Sequence, residues 1–497
     1  MVVKTRILAP DITLWNRQQM KIRIAFILLF TFLLLAFTGK SQTEKQWTLE
    51  ECINYALEHN INIKQQLLNV EYQNEALLQS KLGVLPNLNG FMSHGYNWGQ
   101  RIDPFTNEFA TDRVRSNNLY ISADLNLFSG LQQVNTIKRN LLNKEAAQYD
   151  ADAYKDEISI KVATAYLQVL YNKEFVQIAK DQLDISQLQV DRTSKLVEAG
   201  TLAKGDLLTI QAQAASEQLS VVDAENNLSI ALLTLTQLLE LPSTKGFEIE
   251  IPELGLIEAP ENVMSPEDIY NSAVEVRPEI KSSEIKVESS KRTLGIARSS
   301  YYPSLSLSGS LGSGYSGANK IGEDPFIQKI PIGYTENTHE TVIAERTVYQ
   351  SYNTKAFDDQ LNENRNESVS LSLRIPIFNG WRSRSSVAQA KIGVENANLD
   401  LQLQKNNLYK TIQQAYNDAS SALNKHKASK LKVEATKESF TYAEKKFNVG
   451  LINSVDYNNA KKEYNRALSE LIQAKYEFVF KMTVIDFYLG KPLTLTR

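Results

Sequence analysis

The chain has a single cysteine, Cys52, among 497 residues. No intramolecular disulfide can staple it, so packing alone must hold the fold. Proline (13) and glycine (21) are scarce and gather in a few places, which excludes a loop-rich architecture and suits long regular elements. The histidines are His59, His94, His339 and His426; they are scattered, and none forms the paired spacing of a helical zinc site. His426 falls on a helical seam and reads as a core or interface residue. The formal net charge of −3 argues against wholesale nucleic-acid binding. Residues 309–314 (GSLGSG) have the composition of a phosphate loop, but they continue a strand and open no helix. No enzyme constellation, cofactor site or metal site is expected.

A long apolar run is also missing beyond the N-terminus. The best stretch, Leu228 to Leu241, is cut by Ser, Thr, Gln and Glu, well short of the roughly 18 uninterrupted apolar residues of a membrane-spanning helix. The N-terminus itself carries an address: Lys21 and Arg23 precede an apolar run from Ile24 to Phe37, and Gly39-Lys40-Ser41 offers a small-x-small cleavage pattern. A mature chain would then start near Gln42, and Met20 is a better start for such a signal than Met1. A signal anchor is the competing reading. Cys52 is not placed for lipid attachment at the cleavage site.

What the sequence has is helical periodicity. From Ile158 onward Val162, Ala165, Val169, Val176, Ala179, Leu183, Val190 and Val197 keep a seven-residue beat, with Asn172, Ser186 and Thr193 filling the other seam slots. The spacing predicts a helix over 131–197, about 100 Å long at 1.5 Å per residue. Such an element needs partners of equal length. It breaks at Gly200, read as a helix-ending glycine with positive φ, and restarts near Asp206.

The chain is one unit written twice. A shift of 217 pairs residues 48–88 with 265–305, and a shift of 250 pairs 118–242 with 368–492, both without a gap. The difference is an insertion of 33 residues within 306–367. Each unit reads helix, strand, strand, long helix, turn, helix. The first helix is expected from a Thr48 cap to about Leu82 and its twin from Ser265 to about 298. Long helices 131–197 and 381–447 are matched in length by 206–240 with 265–298, and by 456–489 with 48–82. The division is a signal and extension at 1–41, a first unit at 42–242, a linker at 243–264 and a second unit at 265–497.

The strands alternate. In 119–128, Leu119, Ile121, Ala123, Leu125 and Leu127 face one way and polar residues the other; 369–377, 305–311 and, more loosely, 88–98 do likewise. A half-buried soluble sheet and a set of membrane β-strands fit this pattern equally. Two features favour the membrane. The helices already have partners, leaving nothing to cover the apolar face, and aromatics sit at strand ends (Tyr96, Trp98, Tyr120, Phe128, Phe378, Trp381). Four strands are too few for a closed barrel, whose smallest common form has about eight, and open edges are forbidden in lipid. Several chains must share one barrel. The connections 99–117 and 312–367 would then lie outside the cell, the second as an exposed polar loop.

The Pro-x-Leu strand openings, the pairs Phe128/Gly130 and Phe378/Gly380, and the turns at Gly200…Asp206-Leu207-Leu208 and Val449-Gly450-Leu451…Val455-Asp456 together resemble the TolC family of outer-membrane efflux ducts, over residues 46–492. The resemblance implies a mainly α fold with a membrane β-barrel portion: a homotrimer with an α-helical tunnel and a shared twelve-stranded barrel in outer-membrane lipid. It implies a passive conduit that reaches into the periplasm, docking to a periplasmic membrane-fusion adaptor and an inner-membrane transporter in efflux or type I secretion. Family members ring the periplasmic entrance with aspartates; Asp456 matches the first position and Asn459 stands at the second, leaving a less charged ring. The arginine and tyrosine that latch the tip in the best-known members correspond to Ile452 and Phe447. Read without the resemblance, Asp206 and Asp456 are ordinary caps of the helices after Gly200 and Gly450. A secreted or surface coiled-coil scaffold is the second functional reading, which the alternating strands disfavour.

Overall fold

The computed structural model describes residues 46–110, 113–252 and 264–494. The signal segment and cleavage site, and residues 253–263 of the linker, lie outside the described residues. In chain order the elements are β1 (Gln46–Trp47), α1 (Leu49–His59), α2 (Ile61–Leu82), β2 (Asn87–Asn97), β3 (Arg101–Ile102), β4 (Phe109–Ala110), β5 (Val114–Ser129), α3 (Gln132–Glu198) and α4 (Lys204–Leu238). There follow β6 (Glu248–Ile249), α5 (Pro266–Val276), α6 (Pro278–Ser299), β7 (Ser304–Ser316), β8 (Lys320–Tyr334), β9 (Thr341–Thr354), α7 (Phe357–Glu363), β10 (Asn366–Arg374), α8 (Arg382–Asn448) and α9 (Ser454–Tyr488).

Elements of the two halves agree in length: α3 and α8 have 67 residues each, and α4 and α9 have 35 each. The helices expected over 48–82 and 265–298 are each broken in two. Thr48 caps α1 in a capping box with Glu51, but Asn60 ends α1 and caps α2, its Oδ1 accepting from the backbone N–H of Asn62 and Ile63. In the second half Pro278 supplies no N–H for a continuing helix and pushes Arg277 into extended backbone (ψ 125°). Both breaks are anchored. Asn60 Nδ2 donates to Leu238 O at 3.2 Å. Buried Arg277 lies 3.0 Å from Asp156 and 4.1 Å over the Phe487 ring.

β2, β5, β7 and β10 form one antiparallel sheet in the order β10-β7-β5-β2. The helices follow the same lateral order: α2 packs on α3, α3 on α6, and α6 on α8. Below them α3–α4 and α8–α9 form two helical hairpins, with α9 leaning on α3. Among the described residues, sheet and helical layer therefore end in open edges on the same two sides, β2 with α2 and β10 with α8. The apolar face of the sheet is uncovered, Val369 being 82 % exposed, Leu371 63 % and Met92 74 %. β10 stops at Arg374, before Pro376, so 375–377 is not strand as expected. The chain exposes 33517 Å², nearly twice the roughly 18,000 Å² of a compact monomer of this mass.

The segment 312–367 is not a polar loop. β7 runs on to Ser316, and an exposed hairpin β8–β9 and the short α7 follow. Pro325 and Pro331 obscured β8 in the sequence, because proline argues against a central strand. A two-stranded ribbon has an outer edge on each strand, which accommodates them.

Helical tips as the candidate functional site

The α3–α4 and α8–α9 turns form the end of the molecule opposite the sheet. Each long helix closes on a glycine in the left-handed region, Gly200 (φ 73°) and Gly450 (φ 76°). The Gly200 N–H donates to Val197 O and Thr201 N–H to Leu196 O; Gly450 and Leu451 repeat this on Phe447 and Lys446. These bonds satisfy the last carbonyls of the long helices, and a β-carbon at either glycine would strain the turn.

Neither aspartate is a side-chain cap. Asp206 and Asp456 are third residues of α4 and α9; Ala203 precedes α4 without a side-chain bond, and Asn453 caps α9 by accepting from the Asp456 N–H at 2.9 Å. Their carboxylates still complement the positive helix ends. Asp206 instead reaches across the halves: Ser454 Oγ donates to its Oδ1 at 2.8 Å. Asp456 and Asn459 are exposed beside this junction. Phe447 is buried, its ring stacked on Tyr457 at 4.9 Å. Ile210 of α4 completes that apolar knot, and half-buried Val190, Phe440 and Ile452 pack on it. Phe447 and Ile452 are thus glue between the two hairpins of one chain.

One turn further along α9, Lys461 is 1 % exposed. Its ammonium donates to Glu217 Oε2 (3.1 Å), Ser186 Oγ (2.5 Å) and Gln182 O (3.2 Å). Gln213 Nε2 donates to the other Glu217 oxygen at 3.1 Å. Three helices, α3, α4 and α9, meet at this ion pair. Burial pulls the Lys461 ammonium below its usual range, while the Glu217 charge and hydrogen bond oppose that shift. Sequence reasoning passed over both residues although a signal existed. Glu217 occupies a seam slot in the run Ile210, Ala214, Glu217, Val221, Ala224, and Lys461 lies midway between Tyr457 and Tyr464 on the buried stripe of α9. A charge on an apolar seam requires a partner; which one is decided by the fold. Among the described residues no group of three His, Cys, Asp or Glu could hold a metal ion, and no helix is long and apolar enough to cross a membrane.

Comparison with known proteins gives this arrangement a context. The family model described as outer membrane efflux protein matches residues 52–240 and 269–490. The chain is 22 % identical over 449 residues to outer membrane protein TolC of Vibrio cholerae, covering 89 % of this chain and 90 % of that protein. It is also 22 % identical over 444 residues to alkaline protease secretion protein AprF of Pseudomonas aeruginosa, covering 88 % and 82 %. Among solved structures, CusC aligns with a TM-score of 0.70 at 16 % identity over 89 % of this chain and 92 % of that one. The CmeC outer membrane channel of Campylobacter jejuni aligns at 0.67, with 16 % identity over 89 % and 85 %. With its two long helical hairpins, its open-edged sheet and a family match over most of its length, the chain belongs to the outer membrane efflux protein family.

Proposed function

We propose that three copies of this chain assemble into a duct across the outer membrane and periplasm, the exit conduit of a tripartite efflux or type I secretion system. The observation that carries this reading is the pair of matched open edges. A sheet whose apolar face is exposed and whose outer strands β2 and β10 lack neighbours among the described residues cannot sit in lipid alone. Pairing β2 of one copy with β10 of the next removes both edges, brings α2 beside the next copy's α8, and closes twelve strands with three chains. The equal helix lengths support a duplicated unit, 42–242 and 265–497 joined through 243–264.

The polar face of the sheet, lined by Ser306, Ser308, Ser310, Ser368 and Ser370, then faces the lumen, and the helical tips face the periplasm. Asp456 and Asn459 would ring the entrance, with Phe447 and Ile452 behind them. Transport through it is passive: an inner-membrane transporter supplies the energy through a periplasmic adaptor docked on the tips. AprF is named for alkaline protease secretion, which makes type I secretion as natural a setting as efflux. A scaffold reading leaves the bare apolar face unexplained.

The test is mass measurement in detergent followed by planar-bilayer recording. Three chains per particle and discrete conductance steps are expected. A monomer with intact secondary structure, or a particle soluble without detergent, would overturn the duct.

A further inference from the structure

Both outer connections converge on Ser316, the last residue of β7. Ser316 is fully buried. Its hydroxyl donates to Asp103 Oδ2 in the first connection. Its amide N–H donates to Gln360 Oε1 (2.9 Å), and its carbonyl accepts from Gln360 Nε2 (3.0 Å), in the second. Asp103 is as deeply buried, and its other oxygen accepts from the backbone N–H of Phe105 (3.0 Å) and Thr106 (3.1 Å). A buried carboxylate so satisfied fixes the turn that follows it. The Phe105 ring lies directly on Gly314, where an added Cβ would overlap it.

Which face this covers follows from strand alternation. Gly314 and Ser316 share their face with Ser308 and Ser310, whose hydroxyls bond those of Ser370 (3.1 Å) and Ser368 (2.8 Å). The first connection is therefore folded over the polar face, at the end of the sheet away from the helices. Phe91 and Tyr120 stand on the same face, stacked at 4.9 Å beside Gly312. Their counterparts in the second half are Ser308 and Ser370, so this aromatic wall occurs once per chain.

We infer that Phe105 is a size-limiting residue at the outer mouth of the duct, held inside the lumen by Asp103 on Ser316 and by its own seat on Gly314. The inference rests on the duct reading, in which the polar face lines the lumen. Each of three copies contributes one such inward fold, and together they make a collar that narrows the exit for cargo. The anchors are buried and polar, so the collar is a fixed part of the mouth. Glycine at 314 is required by the close approach of the ring and of the Asn117 carbonyl oxygen on β5.

Conductance and the size cut-off for neutral polyethylene glycols, recorded on the full-length trimer in planar bilayers, test the collar. Phe105→Ala removes the bulk and leaves the Asp103 and Gln360 bonds to Ser316; Gly314→Ala crowds the ring and the Asn117 carbonyl, displacing the ring while leaving its bulk. Both are expected to raise conductance or shift the cut-off to larger polymers while three-chain mass is unchanged, with Phe105→Ala giving the larger shift. Conducting trimers whose conductance and cut-off stay at the wild-type values in both variants would overturn the collar and leave the duct standing. A wild-type protein that forms no trimer and no pore would overturn the duct, and the collar with it.

Discussion

Lys461 Nζ lies 3.1 Å from each carboxylate oxygen of Glu217, although the two residues stand on helices from opposite halves of the chain. Neither side chain has an appreciable path to water, the exposures being 2 % and 8 %. Desolvating two charges costs about as much as their attraction returns, so such a pair adds little net stability, but removing one partner strands the other. Its consequence is geometric: α9 is fixed against α3 and α4 in one register. Together with the Ser454–Asp206 bond and the packing of Ile210 on Phe447 and Tyr457, it makes the two hairpins of one chain a single body at the tips.

Lys461→Met should therefore cost on the order of 3–5 kcal/mol by leaving Glu217 buried and unpaired. Lys461→Met with Glu217→Leu should recover most of that loss. Hydrogen exchange over 182–190, 213–221 and 454–464 measures it; equal exchange in the single and double variants would show that the charges are not coupled.

In the proposed duct three exposed Asp456 carboxylates would ring the entrance and attract cations, so Asp456→Asn should weaken block by multivalent cations and change single-channel conductance without lowering trimer yield. Asp206→Ala should leave conductance nearly unchanged and loosen the tip by about 1 kcal/mol through loss of the Ser454 bond. Equal effects of the two substitutions on cation block would remove Asp456 from the entrance.

Burial pushes the Cys52 thiol up to about 12, with the Glu51 charge adding to the shift. Its side chain is fully enclosed between α1 and its neighbours. Maleimide at pH 8 should leave it unlabelled in the folded protein and label it fully in denaturant. Rapid labelling without denaturant would mean that α1 detaches readily.

Burial first, and then the Lys430 and Lys475 charges, hold His426 below its usual pKa of 6.5. Between its folded value and 6.5 the unfolded chain binds more protons than the folded one. Its contribution is accordingly complete above pH 6.5 and is lost as pH falls through the folded value. His426→Gln should flatten that part of the stability–pH curve, as read from thermal unfolding between pH 5 and pH 7; an unchanged slope would assign the dependence to other groups.

Local pattern determined the elements. A seven-residue beat can be buried only by a helix, so α3 and α8 were legible almost to the residue, and a two-residue beat marked the strands of the main sheet. Pro278 even carried the break between α5 and α6 in plain view, since it lacks the N–H that a continuous helix needs. Its twin at Asn60 did not, because asparagine becomes a cap only where the chain turns and an acceptor such as Leu238 O stands nearby. The β8–β9 hairpin was hidden for the opposite reason: its prolines violate strand rules that an uncovered two-stranded ribbon escapes. What only the tertiary structure decided are the pairings across the two halves. Lys461 with Glu217, Ser454 with Asp206 and Phe105 on Gly314 join residues that are hundreds of positions apart. The charge on an apolar seam was open to reading in the sequence though passed over, and the glycine run was read as strand. The partner in each case follows from how long helices and strands align side by side, and that alignment is a property of the whole packed chain.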